Sequence, residues 1–82
     1  MESIVASAII HNGKIYVGPR HHDCIRIIKA STGERTPGSD PQGFVTESGK
    51  FLNRIEAGEY AIKIGQIKKL NWPPRLYSED LW

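Results

Sequence analysis

The segment Gln42–Ala57, QGFVTESGKFLNRIEA, leaves the chain few conformational choices. Phe44 and Phe51 bracket Glu47-Ser48-Gly49-Lys50, a polar turn whose glycine can adopt positive φ, so the stretch reads as a β-hairpin. Asn53 follows at once, offering a side-chain oxygen to the first amides of a helix that begins at Arg54. Glu56, three residues on, completes a capping-box pair. A hairpin that runs into a capped helix with no spacer brings an aromatic residue, an amide and a guanidinium to one strand-to-helix junction.

The flanking sequence supplies a second unit of the same order. Ser3 to Ile10 is rich in β-branched and small residues and leads into His11-Asn12-Gly13-Lys14, whose Asn-Gly pair is the strongest short-range hairpin signal; Ile15-Tyr16-Val17 is the return strand. Alternation places Ile4, Ala6, Ala8 and Ile10 on one side and Val5, Ser7 and Ile9 on the other. Both sides are apolar, as in a central strand or one at an interface. Pro19 is suited to open a helix running from about Arg20 to Ser31, with Cys24, Ile27, Ile28 and Ala30 as its buried stripe and Gly33 as its stop. Thr32 to Pro41 is a Gly- and Pro-bearing loop carrying Arg35. The second helix runs from Arg54 to about Gln66, with Ala57, Ala61 and Ile64 on one face. Pro73-Pro74 then forces an extended backbone, and the tail 71–82 carries leucine, tyrosine and tryptophan to its last position, so it is expected to dock on its own sheet or on a neighbouring subunit. The predicted fold is α+β: a small antiparallel sheet built from two hairpins, two α-helices and an extended C-terminal arm, in a single domain over 1–82.

With 82 residues, such a domain hides only about 60% of its unfolded surface. Its core is thin, and a homo-oligomer is the expected remedy. The longest apolar run, Ile4 to Ile10, is too short for a membrane helix, and Glu2 stands where a secretory signal would be basic, which points to the cytoplasm. Cys24 is the single cysteine, so no internal disulfide or zinc ribbon can form. A net charge of +2, with scattered basic residues, does not fit a general DNA binder but favours a small anion.

Arg20-His21-His22-Asp23 suggests a metal site or a histidine base. Adjacent helical histidines point about 100° apart, however, and no further ligands can be assigned, so no metal and no cofactor are expected. The better use of Arg20 and a histidine, His21 or His22, is phosphate binding at a helix N-terminus. One of Phe44 and Phe51 belongs to the core, and the other is free to stack on a base. Asn53 can cap with its oxygen and still donate through its nitrogen, while Arg54 and Arg75 match phosphate oxygens in a bidentate way. Glu79-Asp80 suits a ribose hydroxyl, an intersubunit ion pair or plain solvation. Walker loops, dinucleotide loops and serine nucleophile elbows are absent from the sequence. A non-enzymatic binder is therefore expected. The alternatives are a small phosphodiesterase or nuclease using His21, His22, Asp23 and Glu79, or an interaction module acting through the C-terminal arm.

Val5-Ala6-Ser7-Ala8, Gly18 with Arg20-His21-His22, Gln42-Gly43-Phe44, Gly49-Lys50-Phe51 with Arg54 and Glu56-Ala57, Gly65-Gln66-Ile67 and Leu76-Tyr77-Ser78-Glu79-Asp80-Leu81 occur in an order that resembles a family of small phage proteins. In particular, the chain resembles the first described family of Thoeris anti-defence sponges over nearly its whole length. The resemblance implies a phage anti-defence protein in the cytoplasm of the bacterial host that sequesters a cyclic ADP-ribose isomer, and for some members a cyclic oligonucleotide at a separate site, without cleaving it. It also implies assembly from dimers into larger rings such as hexamers. Carried over, Arg20 joins the phosphate-binding cluster, Phe44 stacks on a base, either Asn53 or Arg54 supplies the polar contact, and Arg75 reaches a phosphate from the arm. The chain is short for that family, with a compact loop at Thr32 to Pro41.

Overall fold

The computed structural model describes residues 2–35 and 40–81; expectations that fall on Pro37, Gly38 and Trp82 lie outside the described residues. The elements run β1 (Ile4–His11), β2 (Lys14–Gly18), α1 (His21–Thr32), β3 (Gln42–Thr46), β4 (Phe51–Asn53), α2 (Arg54–Lys63) and α3 (Ser78–Leu81). The strands form one four-stranded antiparallel sheet of order β2-β1-β3-β4, so the two expected hairpins join along β1 and β3. The fold is α+β, with the short α3 added to the expected arm.

Local chemistry accounts for most of the element ends. Asn12 and Gly13 take φ of 51° and 77°, the two positive values a type I′ hairpin turn requires. Arg20, extended at φ −133°, is the N-cap of α1, and its N–H donates to Asp23 Oδ2 at 3.1 Å. Pro19 therefore lies outside α1 rather than opening it. Asn53 Oδ1 accepts from the N–H groups of Ile55 (3.0 Å) and Glu56 (2.8 Å), and Glu56 Oε1 accepts the Asn53 N–H at 3.0 Å. The expected capping box is thus formed in full. α2 ends at Lys63 instead of Gln66, and the Gln66 side chain is used elsewhere. Its amide exchanges two hydrogen bonds of 2.9 Å with the backbone of Ile4, serving as a partner for the end of β1.

The β1 alternation differs from the expected one because the β1–β3 register shifts between Ile4 and Ala6. This bulge inserts one residue, Val5, and turns Ile4 to the face that carries Ser7 and Ile9. On that face Ile4, Phe44 and Leu52 pack with Ala57, Ala61 and Leu76, while Ile9 packs with Cys24 and Ile28. Ser7 lies opposite Phe44 in the sheet, so these two clusters, and hence α1 and α2, occupy the same side. Cys24 and Ile28 are the buried stripe of α1. Ile27 is 41% exposed and Ala30 is exposed, so neither belongs to it.

The opposite face carries Ala6, Ala8 and Ile10 of β1, Ile15 and Val17 of β2, Val45 of β3 and Phe51 of β4, with no charged side chain among them. Both main helices lie on the other side, and Ile15 and Val17 are exposed. The C-terminal arm turns at Trp72-Pro73-Pro74-Arg75, where the Pro73-Pro74 bond is cis and the Arg75 N–H donates to Trp72 O at 3.2 Å. It then buries Leu76 completely and ends in α3. The arm therefore docks on its own chain. Asp80 is consumed in that docking: Oδ1 accepts from Asn71 Nδ2 (2.7 Å) and Oδ2 from the Tyr77 N–H (2.9 Å).

Candidate functional site

Where β4 passes into α2, the chain places Asn53 and Arg54 beside the returning arm. A cleft of about 500 Å³ opens there, lined by Asp40, Gln42, Asn53, Arg54, Ile55, Arg75 and Tyr77. The capping box fixes Asn53, and its Oδ1 is occupied by the helix amides. Its Nδ2 makes no hydrogen bond among the described residues and remains a donor.

Arg54 has a structural role as well as a place on the cleft wall. Nη1 donates to Leu76 O at 2.8 Å and Nη2 to Gln42 Oε1 at 2.7 Å, while Arg54 O accepts the Leu76 N–H at 3.0 Å. Its guanidinium carbon also lies 4.5 Å from the centroid of the Tyr77 ring. One side chain thus ties β3, α2 and the arm together, with charge-assisted hydrogen bonds and a cation–π contact. Burial lowers the Arg54 pKa, as does the Arg75 charge, while Tyr77 and Glu79 oppose that shift. The Arg75 guanidinium makes no side-chain hydrogen bond or ion pair among the described residues. The cleft therefore carries two guanidinium groups and one carboxylate, Asp40, a balance of charge that favours an anion near Arg75.

Of the expected site residues, Asn53, Arg54 and Arg75 are brought onto this cleft; Arg20, His21, His22 and Phe44 are not on it. Phe44 corrects the expectation most clearly. It is 0% exposed in the core, so its ring has no free face for a base, and its neighbour is His21, edge-on at 5.0 Å between centroids. The reason is its parity on β3: Phe44 points to the helix side, and the thin core cannot spare its largest side chain. Arg20 is occupied as the N-cap residue of α1. His22 projects outward, with Nε2 3.6 Å from Asp23 Oδ1.

His21 is turned inward. Nε2 lies 2.8 Å from Gly43 O and Nδ1 2.8 Å from Ser78 Oγ, which is itself 2.9 Å from Ser7 Oγ. A carbonyl can only accept, so Nε2 carries the proton and Nδ1 accepts from the Ser78 hydroxyl. Burial, followed by the Arg54 charge, pushes the His21 pKa down to about 4 against the Gly43 hydrogen bond and Glu79. The Ser78–His21 pair has the spacing of a nucleophile and its base. Ser78 is only 4% exposed, however, and its hydroxyl is bracketed by His21 and Ser7. The pair therefore latches α3 to β1 and α1. His21 facing inward and His22 outward do not converge with Asp23 and Glu79 on a common point.

His11, a turn residue by expectation, ends β1 and is buried. Its Nδ1 is 2.6 Å from Asp40 Oδ2 and its Nε2 3.2 Å from Glu34 Oε1. Those hydrogen bonds, Asp40 foremost, raise its pKa against the effect of burial. The two histidines thus respond to pH in opposite senses. The His11 contribution to stability is full below its unfolded pKa, near 6.5, and is lost as pH rises through its raised folded value. His21 stays neutral in the fold, so the unfolded chain gains a proton first as pH falls below about 6.5, and stability drops until about pH 4. Allowing for solvent screening, the His21 effect amounts to roughly 2 kcal/mol. In an NMR titration of the ring protons, His11 is expected to titrate above 6.5 and His21 near 4; the reverse order would show that the buried network is assigned wrongly.

Four residues lining the cleft were not identified from sequence: Asp40, Gln42, Ile55 and Tyr77. Arg75 and Tyr77 are two apart on an extended segment and so share a side, a spacing visible in the sequence once the arm is known to dock. Gln42 gave no local signal, because its value lies in meeting Arg54 twelve residues on.

Among the described residues no group of three or more His, Cys, Asp and Glu side chains is placed to hold a metal ion. No described helix is long and apolar enough to cross a membrane. Comparison with curated proteins gives no match, and comparison with solved structures gives none. A family model described as "Phage T4 y16D protein" matches residues 3–82, nearly the full chain. This small α+β domain, with its cationic cleft between the α2 cap and the C-terminal arm, belongs to the phage T4 y16D protein family.

Proposed function

We propose that the protein is a non-enzymatic sponge. It binds a cyclic ADP-ribose-type signal in the Asn53–Arg54–Arg75 cleft and holds it intact in the host cytoplasm. The observation that carries this reading is the pair of guanidinium groups facing one cleft, of which Arg75 has no protein partner among the described residues. A phosphate there would gain charge-assisted hydrogen bonds from Arg75, while Asn53 Nδ2 donates from a fixed position. Nothing on the cleft wall is set up as a nucleophile with a free base, so the site favours the ground state of its ligand.

Purified protein mixed with cyclic ADP-ribose isomers should bind in calorimetry, and heat denaturation should release the ligand unchanged. Release of a cleaved product would overturn the reading. Arg75→Ala is expected to weaken binding about tenfold or more, as for a lost hydrogen bond to a charged group. It should also reduce the salt dependence of the affinity while leaving the melting temperature nearly unchanged.

The charge-free sheet face supports a homodimer as the working form. Val17, Ala8, Gly43 and Asn53 lie in one row across the strands, so this face ends at Asn53, on the edge of the cleft. A second copy packed there would stand beside the ligand. Val17→Lys should shift the sedimentation coefficient from dimer to monomer; an unchanged value would place the interface elsewhere.

A further inference from the structure

Beside the cationic cleft lies a second hollow of about 510 Å³, lined by Trp72, Tyr77 and Glu79. Tyr77 is shared by both and forms the wall between them. We propose that this hollow is a base-binding subsite: it takes the purine base of a nucleotide on the Trp72 indole, with Glu79 accepting from the exocyclic amino group, while the phosphates of the same ligand lie at Arg75. The inference rests on the phosphate-binding reading of the neighbouring cleft and adds to it the class of group bound next door.

The case begins with Trp72, which is 56% exposed in a domain short of buried apolar surface. Its indole is not loose. It meets Tyr77 edge-on at 5.5 Å and 82°, and Tyr77 in turn carries the Arg54 guanidinium on its ring at 4.5 Å. The three side chains form a braced ladder in which the inner ring is occupied and the outer one presents surface to solvent. Such an indole is an aromatic platform braced along one side by Tyr77, which lowers the entropic cost of stacking.

The turn sets the relation to the phosphate site. Trp72 and Arg75 form an antiparallel bridge, and directly opposed residues in a bridge project to the same side. Indole and guanidinium are thus neighbours by backbone geometry, the arrangement needed for a base and a phosphate of one nucleotide. Glu79 adds selectivity. It lines the same hollow, is exposed, and makes no hydrogen bond among the described residues. An ionised carboxylate only accepts, so it favours a base bearing an amino donor over one presenting a carbonyl at the same place. The subsite also replaces Phe44, whose buried ring cannot serve as the platform.

The test uses the Trp82→Phe protein, in which Trp72 is the only remaining indole, and three probes: cyclic ADP-ribose, its inosine counterpart lacking the amino group, and inorganic pyrophosphate. Cyclic ADP-ribose is expected to quench Trp72 fluorescence and pyrophosphate to bind without quenching. Trp72→Ala should weaken cyclic ADP-ribose about tenfold, the lower part of the range for base–aromatic stacking, with pyrophosphate affinity unchanged and with Trp72→Phe restoring most of the loss. Glu79→Gln should remove the preference for cyclic ADP-ribose over the inosine counterpart. If both cyclic ADP-ribose and pyrophosphate bind and Trp72→Ala weakens neither, or weakens both equally, the subsite is wrong and the phosphate cleft stands. If no probe binds the wild-type chain, the cleft reading fails and the subsite with it.

Discussion

Phe44→Ala is expected to destabilise the protein by about 3–5 kcal/mol, the cost of removing a phenylalanine side chain from a packed core. Phe44 is the largest fully buried side chain among the described residues and joins Ile4, Leu52, Ala57, Ala61 and Leu76 in one cluster. Two of those neighbours are alanines, which cannot swing inward to fill the void. The His21 ring also loses its edge-to-face partner at 5.0 Å. Domains of this size have total stabilities of order 5 kcal/mol, so the variant should retain about 2 kcal/mol or less, as read by urea titration. Phe44→Leu separates packing from recognition. It keeps most of the volume, should cost about 1.5 kcal/mol, and should bind ligand with wild-type affinity. A folded Phe44→Leu that had lost binding tenfold would return Phe44 to the site.

The second large effect is expected at Arg54. Arg54→Ala removes the donors that satisfy Leu76 O and Gln42 Oε1, together with the cation on Tyr77. Leu76 is completely buried, so its carbonyl is left without a side-chain partner in the interior. The loss should be roughly 3 kcal/mol. It should also be localised: hydrogen exchange and protease cleavage should accelerate over 71–81 more than in β1 or β3, because the arm is what the guanidinium holds. Arg54→Lys keeps the charge but has no fork to reach two acceptors at once, so it should recover less than half of the loss. Uniform destabilisation across the sheet would show that the arm does not depend on this clamp.

Arg54 also shows why the cleft was only partly legible in sequence. Guanidinium chemistry and the position after an N-cap marked it as a candidate, and it does line the cleft. Its hydrogen bonds, however, go to Gln42 and Leu76, residues twelve and twenty-two positions away, and no local pattern encodes them. Arg75 was singled out by the same chemistry and keeps its guanidinium unpartnered among the described residues. The difference between the two arginines is the path of the arm, a tertiary fact.

The sequence by itself determined what depends on neighbours within a few residues. The Asn12-Gly13 turn, the Asn53–Glu56 box, the end of α1 at Gly33 and the pairing around Gly49 follow from backbone sterics and short-range hydrogen bonds, which operate the same way in any surroundings. Only the tertiary structure decided which face of each strand is inside. The bulge at Val5 reverses Ile4, and burial of Phe44 rather than Phe51 follows from both helices packing on one side of the sheet. The buried His21–Ser78–Ser7 network and the docking of Leu76 are likewise contacts between segments far apart in the chain. Alternation fixes that neighbouring side chains oppose each other. Which of the two sides is core depends on where the remaining elements land, and that is settled by the free energy of the whole packing.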